Sequence, residues 1–352
     1  MATYSGKQFK VAVGLHTSNL GVATLGGTMY YMRLPEISDI DFSAGYNTAV
    51  VERTGQRVIR PTDHITAHSS TNAAGGEYTW AWDNYVPENE ALFHALMASV
   101  AENASPDGTE AIIGTASTNT YDAGAASNFD LALQILSPDA SEGRYMYGAI
   151  CQDITLSWDA TVNGGKLTTS GTLYSGYRPI IYDNSGITVN ATAQSAGGWN
   201  LDIFQMDAIT INPAGGGAVA LVCKAFNVTI SNPAKRSGYE AITEASPGST
   251  STVFGQPEEY SRGGLIDVTG SITVKMNDNS VGLLNNWQRS DSCAIVFGDH
   301  ATIGSANCHI GIPTAKLTGF NKDYAGEDGV FIEIPFQGTA DGAGSLIDYK
   351  IS

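Results

Sequence analysis

Short stretches in which apolar and polar residues alternate dominate the chain, and alternation with a period of two is the mark of a half-buried strand. Lys10-Val-Ala-Val-Gly-Leu15, Thr28-Met-Tyr-Tyr-Met-Arg-Leu34 and Ile37-Ser-Asp-Ile-Asp-Phe42 read as strands. So does Glu77-Tyr-Thr-Trp-Ala-Trp82, which places Tyr78, Trp80 and Trp82 on one face. Asp153-Ile-Thr-Leu-Ser-Trp158 and Lys166-Leu-Thr-Thr-Ser-Gly-Thr-Leu-Tyr174 predict a hairpin, because the connection contains Asn163-Gly164, a favoured turn dipeptide. One segment breaks the rhythm. From about Pro87 to Val100 the apolar residues Leu92, Phe93, Leu96, Met97 and Val100 recur at helical spacing. Pro87 suits the first turn, and Glu88 and Glu90 complement the positive helix N-terminus. A core-packing helix is expected there.

The second half repeats this order. Ser271-Ile-Thr-Val-Lys-Met276 parallels Glu77–Trp82, about 194 residues later, and each strand runs through an Asp/Asn pair into a helix. The second helix is expected at about Ser280–Arg289, with Val281, Leu283, Leu284 and Trp287 as its apolar residues. The stretch from Phe226 parallels that from Ile40, Thr314–Phe320 parallels the strand ending at Trp158, and Val330–Gly338 parallels Lys166–Gly176 at an offset of about 162. The difference between offsets leaves about 30 extra residues in the first copy. They fall within 103–144, rich in Ala, Ser, Thr and Gly, which reads as an exposed loop insert. The domain plan is therefore 1–180 with that insert, a joining segment 181–222, and 223–352. Ile347–Ile351 is expected to add a last strand.

Composition narrows the function. Lys and Arg number 18 against 35 Asp and Glu, a formal net charge of −17, and only 15% of residues are charged. Such a balance excludes a protein that grips nucleic acid through a basic patch. Hydrophobic residues make up 42%, enough for a core, and the 40 glycines suit a chain with many turns. The N-terminal Met-Ala-Thr-Tyr-Ser-Gly-Lys has no apolar run, so no signal peptide is expected, and no stretch is long and apolar enough for a membrane helix. Cys151, Cys223, Cys293 and Cys308 show no CxxC spacing and read as reduced, mostly buried thiols.

Catalytic and metal motifs are not found. There is no GxxxxGK loop and no GxSxG elbow. His64 and His68 lie four apart in a strand-and-loop composition, where they would stand ~13 Å apart. Cys293, Cys308 and His309 lack the knuckle spacing of a zinc site. No enzyme, cofactor or metal is expected.

In its order of elements the chain resembles the tail tube (major tail) proteins of long-tailed bacteriophages. The features are a pairing region with Gly45-Tyr46 and Gly55-Gln56, a glycine–strand–acidic turn–helix unit at Gly76–Val100 and again at Gly270–Arg289, and a closing hairpin ending near Gly176 and Gly338. Two copies resemble the subset with two tube domains per subunit. The resemblance implies a mainly β fold of two tandem tube-type β-sandwich or β-barrel domains, each with one flanking helix. It implies trimeric, pseudo-hexameric rings, with a hexameric ring as the alternative, stacked into a virion tail tube. Assembly in the bacterial host cytoplasm and contact with other tail proteins follow from it, as does genomic DNA passing without specific binding; no membrane is involved. Hairpins pairing side by side would line the channel, turning an edge-strand hazard into a means of assembly. The lumen-facing carboxylates would then be Asp153, Asp159, Asp323, Glu327, Asp328 and Glu333, interspersed with Lys166, Lys316 and Lys322. The loops 55–77 and 103–144 are candidates for reaching the next ring.

Two other readings fit the composition. One is a different virion β-protein, such as a distal tail, terminator or decoration protein. The other is a carbohydrate-binding β-sandwich or glycan hydrolase, with Trp80, Trp82, Tyr85 and Trp158 beside Asp83 lining a groove. Against the latter, Trp80 and Trp82 alternate on a strand just before an apolar helix, which reads as core.

Overall fold

The structure is a computed structural model that describes residues 5–16, 29–41, 48–50, 58, 64–66, 68–69, 72–73, 77–87, 90–101, 110–113, 121–122, 130–138, 143–177, 179–182, 209–213, 219–237, 259–262, 264–298, 309–324, 329–340 and 345–350. Strands run over Lys10–Leu15 (β1), Met29–Met32 (β2), Thr48–Val50 (β3), His64–Thr66 (β4), His68–Ser69 (β5), Asn72–Ala73 (β6) and Tyr78–Tyr85 (β7), followed by helix α1 at Glu90–Ala101. Then come Glu110–Ile113 (β8), Tyr121–Asp122 (β9), Leu131–Leu136 (β10), Gly143–Asp159 (β11), Thr168–Ser175 (β12) and Ile180–Tyr182 (β13). The second half has Ile209–Pro213 (β14), Val219–Leu221 (β15), Cys223–Ser231 (β16), Lys235–Ser237 (β17), Glu259–Ser261 (β18) and Asp267–Lys275 (β19) before helix α2 at Asp278–Arg289. It closes with Ser292–Gly298 (β20), His309–Leu317 (β21), Asn321–Asp323 (β22), Phe331–Gly338 (β23) and Ser345–Lys350 (β24). The fold is mainly β, as the alternation predicts, and seventeen of these strands are linked in one sheet.

The order of pairing occurs twice. In the first half β1 pairs with β2 and β10, β10 with β11, β11 with β12 and β13, and β12 with β7, while Asp41 bridges to Thr79 on β7. In the second half β14 pairs with β15 and β20, β20 with β21, β21 with β23 and β24, and β23 with β19, while β16 pairs with β19. The second set starts at Ile209, inside the stretch read from sequence as a joining segment. The two sets are fused by β11 and β16, paired antiparallel from Asp153↔Ser231 to Asp159↔Ala225. The first hairpin therefore does not lie directly against the second; β16 and β19 stand between them.

One apolar cluster runs through both sets, from Val11 and Trp80 through Ile154, Val228 and Ile272 to Ile334 and Tyr349. A second cluster packs Tyr145, Tyr147, Tyr174, Tyr177 and Tyr260 against Ala12 and Ala132. Strand β10 lies between the two, with Leu131, Leu133 and Ile135 in the first and Ala132 in the second. This corrects the reading of 103–144 as an exposed loop insert. Leu131–Leu136 is a core strand paired on both sides, to β1 and β11, and a strand covered on both faces shows a continuous apolar run instead of alternation. Elsewhere in that stretch β8 pairs with β24 and β9 with β18.

The two helices have equal length and different burial. Helix α1 buries Leu92, Phe93, Ala95, Leu96, Met97, Val100 and Ala101. Helix α2 starts earlier than the sequence suggests, because Asn277 caps it: its side chain accepts from the Ser280 amide, while the Ser280 hydroxyl accepts from the Asn277 amide. It buries only Ser280 and Leu283, so the expected apolar helix is a surface helix, with Val281 37% exposed. Gly282 sits mid-helix, and a Cβ added there would meet nothing within 4 Å. Gly282→Ala should stabilise the protein by roughly 0.5–1 kcal/mol, read as a higher urea midpoint.

Candidate functional site

Strands β7, β12, β11, β16, β19 and β23 lie side by side in that order, and their alternation gives the sheet two unlike faces. One face carries Trp80, Trp82, Leu173, Ile154, Leu156, Val228, Ile230, Ile272, Val274, Ile332, Ile334 and Phe336, all buried in the main core. Residues directly opposite across a ladder share a face, so the other face is read from the register. Thr155 is opposite Ser170 and Thr229, Thr229 opposite Thr269, and Thr269 opposite Gln337. Asp153 is opposite Thr172 and Ser231, and Ser231 opposite Asp267. Asp159 is opposite Ala225, then come Thr273, Glu333 and Asn321 in the same row.

The result is a polar face joined laterally by side chains. The Thr155 and Thr229 hydroxyls are 2.9 Å apart, the Asn227 amide donates to the Ser271 hydroxyl at 3.0 Å, and the Gln337 amide donates to Asp267 at 3.2 Å. Ser170 donates to Asp83, and Thr172 to Asp153 at 3.4 Å. Within the six strands this face presents Asp83, Asp153, Asp159, Asp267 and Glu333 against Lys224 and Lys275. The one arginine in these strands, Arg144, is near the start of β11, where the strand pairs with β10 and β13 and not with β16. Asp159 and Glu333 share a row but are three strands apart, roughly 14 Å. Charge is spread over the face instead of gathered into a metal-binding cluster.

Of the sequence-selected carboxylates, the structure thus places Asp153, Asp159 and Glu333 on one face, with Asp323 on β22 at its margin, opposite Phe331. Glu327 and Asp328 lie outside the described residues. Asp83 and Asp267 were missed, although each is in phase with its strand's polar positions: Thr79 and Ala81 for one, Thr269 and Ser271 for the other. Lys316 is opposite Gln337 and so faces the same way, donating to the Ser290 carbonyl. Lys322, opposite the buried Ile332, is on the other side of its strand.

Burial pushes the Asp153 carboxyl above its ordinary value, and the Thr172 hydrogen bond offsets this only in part. For Asp159 burial acts upward too, but the Thr161 hydroxyl and amide and the nearby Lys224 hold it below the usual range. The raised value at Asp153 means that the native state holds its proton to higher pH than the unfolded chain. Stability therefore falls as pH rises through that window and stays lower above it. Asp153→Asn should raise Tm at neutral pH and change it little below the ordinary value of 3.8. Matched melts at both pH values check this.

The aromatics of the carbohydrate reading are core residues. Trp80, Trp82, Tyr85 and Trp158 are at most 6% exposed. The Trp80 indole donates to the Ser38 carbonyl, that of Trp82 to Thr169 Oγ1, and that of Trp158 to the Gly165 carbonyl. Trp158 stacks on Phe226, and Phe226 on Phe297. These rings fill the space between the sheet and the rest of the core, as the alternation of Trp80 and Trp82 before an apolar helix suggests, and so they do not line a groove.

No family model matches the chain, and no curated protein matches it. Among solved structures, a chain of the virion of native gene transfer agent (GTA) particle is similar at 8% identity and a TM-score of 0.22, over 38% of this chain and 92% of that one. A score of that size does not establish a common fold. Cys151, Cys223 and Cys293 are free thiols. Burial pushes Cys151 well above its ordinary value, with the Asp153 charge adding to it, and pushes Cys223 and Cys293 up to about 12. These thiols are poor nucleophiles at neutral pH. No helix among the described residues is long and apolar enough to cross a membrane.

Proposed function

We propose that the chain is a structural virion protein that assembles with copies of itself into stacked rings forming a tail tube, and that the polar sheet face lines the channel through which DNA leaves the particle. The observation that carries this is the continuous six-strand face with hydroxyls, amides and five carboxylates against two lysines. Phosphate is gripped by Lys and Arg, with release of counterions as the driving force; a face without arginine and with excess acid offers DNA little of that gain. Hydroxyls and amides keep the wall wetted. Asp153 is consistent with such a role, because its charge is kept at a cost in stability.

The repeated pairing order supports two related tube units per subunit, so that three subunits make a pseudo-sixfold ring, with six as the alternative. The protein would be structural, not catalytic, and need no cofactor. Its partners would be itself, other tail proteins and passing DNA, with assembly in the host cytoplasm. The test is retention of double-stranded DNA by the assembled protein at low salt. Wild-type assemblies should let DNA go, and assemblies of Asp159→Lys/Glu333→Lys should hold it, with release on adding salt. Tight DNA retention by wild-type particles would sink the reading.

A further inference from the structure

The joint between β11 and β16 is a template for a second joint that no strand among the described residues fills. In β12 every second residue from Thr169 is buried (Thr169, Gly171, Leu173 and Ser175), with Thr168 and Tyr174 buried as well, and in β23 the alternate residues Ile332, Ile334, Phe336 and Gly338 are buried. Leu156 is opposite Thr169, as Lys322 is opposite Ile332. Laying one hairpin on the other therefore puts Thr155 on Asn321 and Trp158 on Tyr324. On the far side of the sheet, Trp80 opposite Leu173 corresponds to Gly270 opposite Phe336. Asp41, bridged to Thr79, then corresponds to Thr229, opposite Thr269, and Ser38 corresponds to Phe226. The match is physical as well: Ile40 and Val228 fall together, and both are buried.

In the first unit the edge of β11 beyond Asp153 is covered by β16. In the second unit β22 pairs with β23 and with no other strand among the described residues. Tyr324 is 71% exposed there, although its counterpart Trp158 is 6% exposed, stacked on Phe226. At the opposite end of the six-strand face, the segment that corresponds to β16 lies against β7, and Ser38 is exposed although it has the same phase as the buried Ile40. A cavity of about 230 Å³ opens beside it, bordered by Ile37, Ser38, Asp39, Ile135 and Arg144.

We infer that these two ends meet between copies: β22 of one copy pairs antiparallel with residues 38–41 of the next, in the register of β11 and β16. Asn321 then stands opposite Asp41 on the polar face, and Tyr324 opposite Ser38 on the core face, with its ring in the cavity. Asp323 falls opposite Asp39, a like-charge pair moderated by Arg144, whose Nε lies 3.9 Å from Asp39. The contact is heterologous, so its repetition closes a ring or extends a filament. The inference rests on head-to-tail self-assembly and specifies which edges and which register it uses.

Paired cysteines in the full chain test it. Directly opposed residues have Cβ atoms about 4.5–5.5 Å apart, close to what a disulfide spans. Assemblies of Asn321→Cys/Asp41→Cys, and separately of Tyr324→Cys/Ser38→Cys, are oxidised and run without reductant. A ladder of linked copies is expected from both pairs, none from the single variants, and none from Asn321→Cys/Ile37→Cys, which is out of register by four residues, ~13 Å. Rings or tubes seen by electron microscopy without a ladder from either in-register pair would overturn this joint and leave the tube reading standing. Wild-type protein that never assembles would overturn both.

Discussion

Gly171→Ala should cost about 3 kcal/mol and prevent assembly, although alanine is the smallest change available. A Cβ at this position would lie 2.4 Å from the Asp153 carbonyl oxygen and 2.5 Å from the Trp82 ring. Both are far inside contact distance, and the nearer one is backbone that belongs to the neighbouring strand. Overpacking of this kind typically costs 1–3 kcal/mol, and more where backbone must move. Relief of the ring alone does not help: Gly171→Ala combined with Trp82→Leu should stay destabilised, because β11 must still part from β12. Gly270→Ala should behave alike, with its Cβ 2.3 Å from the Asn227 carbonyl oxygen and 2.5 Å from the Phe336 ring. Chemical denaturation of each variant measures the cost. A loss below about 0.5 kcal/mol for Gly171→Ala would mean that the sheet does not have the close register described.

Arg262→Ala should be as damaging, for a different reason. The Arg262 guanidinium donates through Nη1 to the carbonyls of Asn232 at 2.6 Å and Val100 at 3.2 Å, and through Nη2 to those of Ser99 at 2.6 Å and Cys151 at 3.2 Å. It thus closes the C-terminus of α1, where unpaired carbonyls and the helix dipole favour a cation, and ties it to β11 and to the end of β16. Asn232 adds a bond from its side-chain amide to the Val100 carbonyl. Removal strands several carbonyls in a largely closed site, at about 3 kcal/mol or more. Arg262→Lys should recover only part of this, since an ammonium lacks the planar fork that reaches four acceptors. Thermal melts of the two variants decide the point; equal stability of Arg262→Lys and wild type would contradict it.

The half-buried elements were legible in the sequence. Period-two alternation marks β7, the β11–β12 hairpin, β19 and β23, and the Asn163-Gly164 dipeptide marks the hairpin turn, where both residues have positive φ. The lower burial of α2 was hidden because its apolar residues suit a helix whether or not anything covers them. Strand β10 was lost for the opposite reason. Leu-Ala-Leu-Gln-Ile-Leu is covered on both sides, so alternation vanishes and its composition merges with a Gly- and Ser-rich stretch. The fully buried pair of His16 and Asp130, 2.7 Å apart, spans 114 residues, and Arg262 reaches carbonyls up to 163 residues away. Separations of that size leave no local trace. The polar face was half visible: three of its carboxylates were selected from the hairpins, but Asp83 and Asp267 enter it only through pairing between strands.

Whether this face lines a channel is decided most directly by a cryo-electron microscopy reconstruction of the assembled protein. The expected result is a hollow tube whose channel wall is the face of β7, β12, β11, β16, β19 and β23, with Asp153, Asp159 and Glu333 turned to the lumen and β22 against the 38–41 segment of the next copy. A tube with that face turned outward, or a protein that stays monomeric at all concentrations, would contradict it.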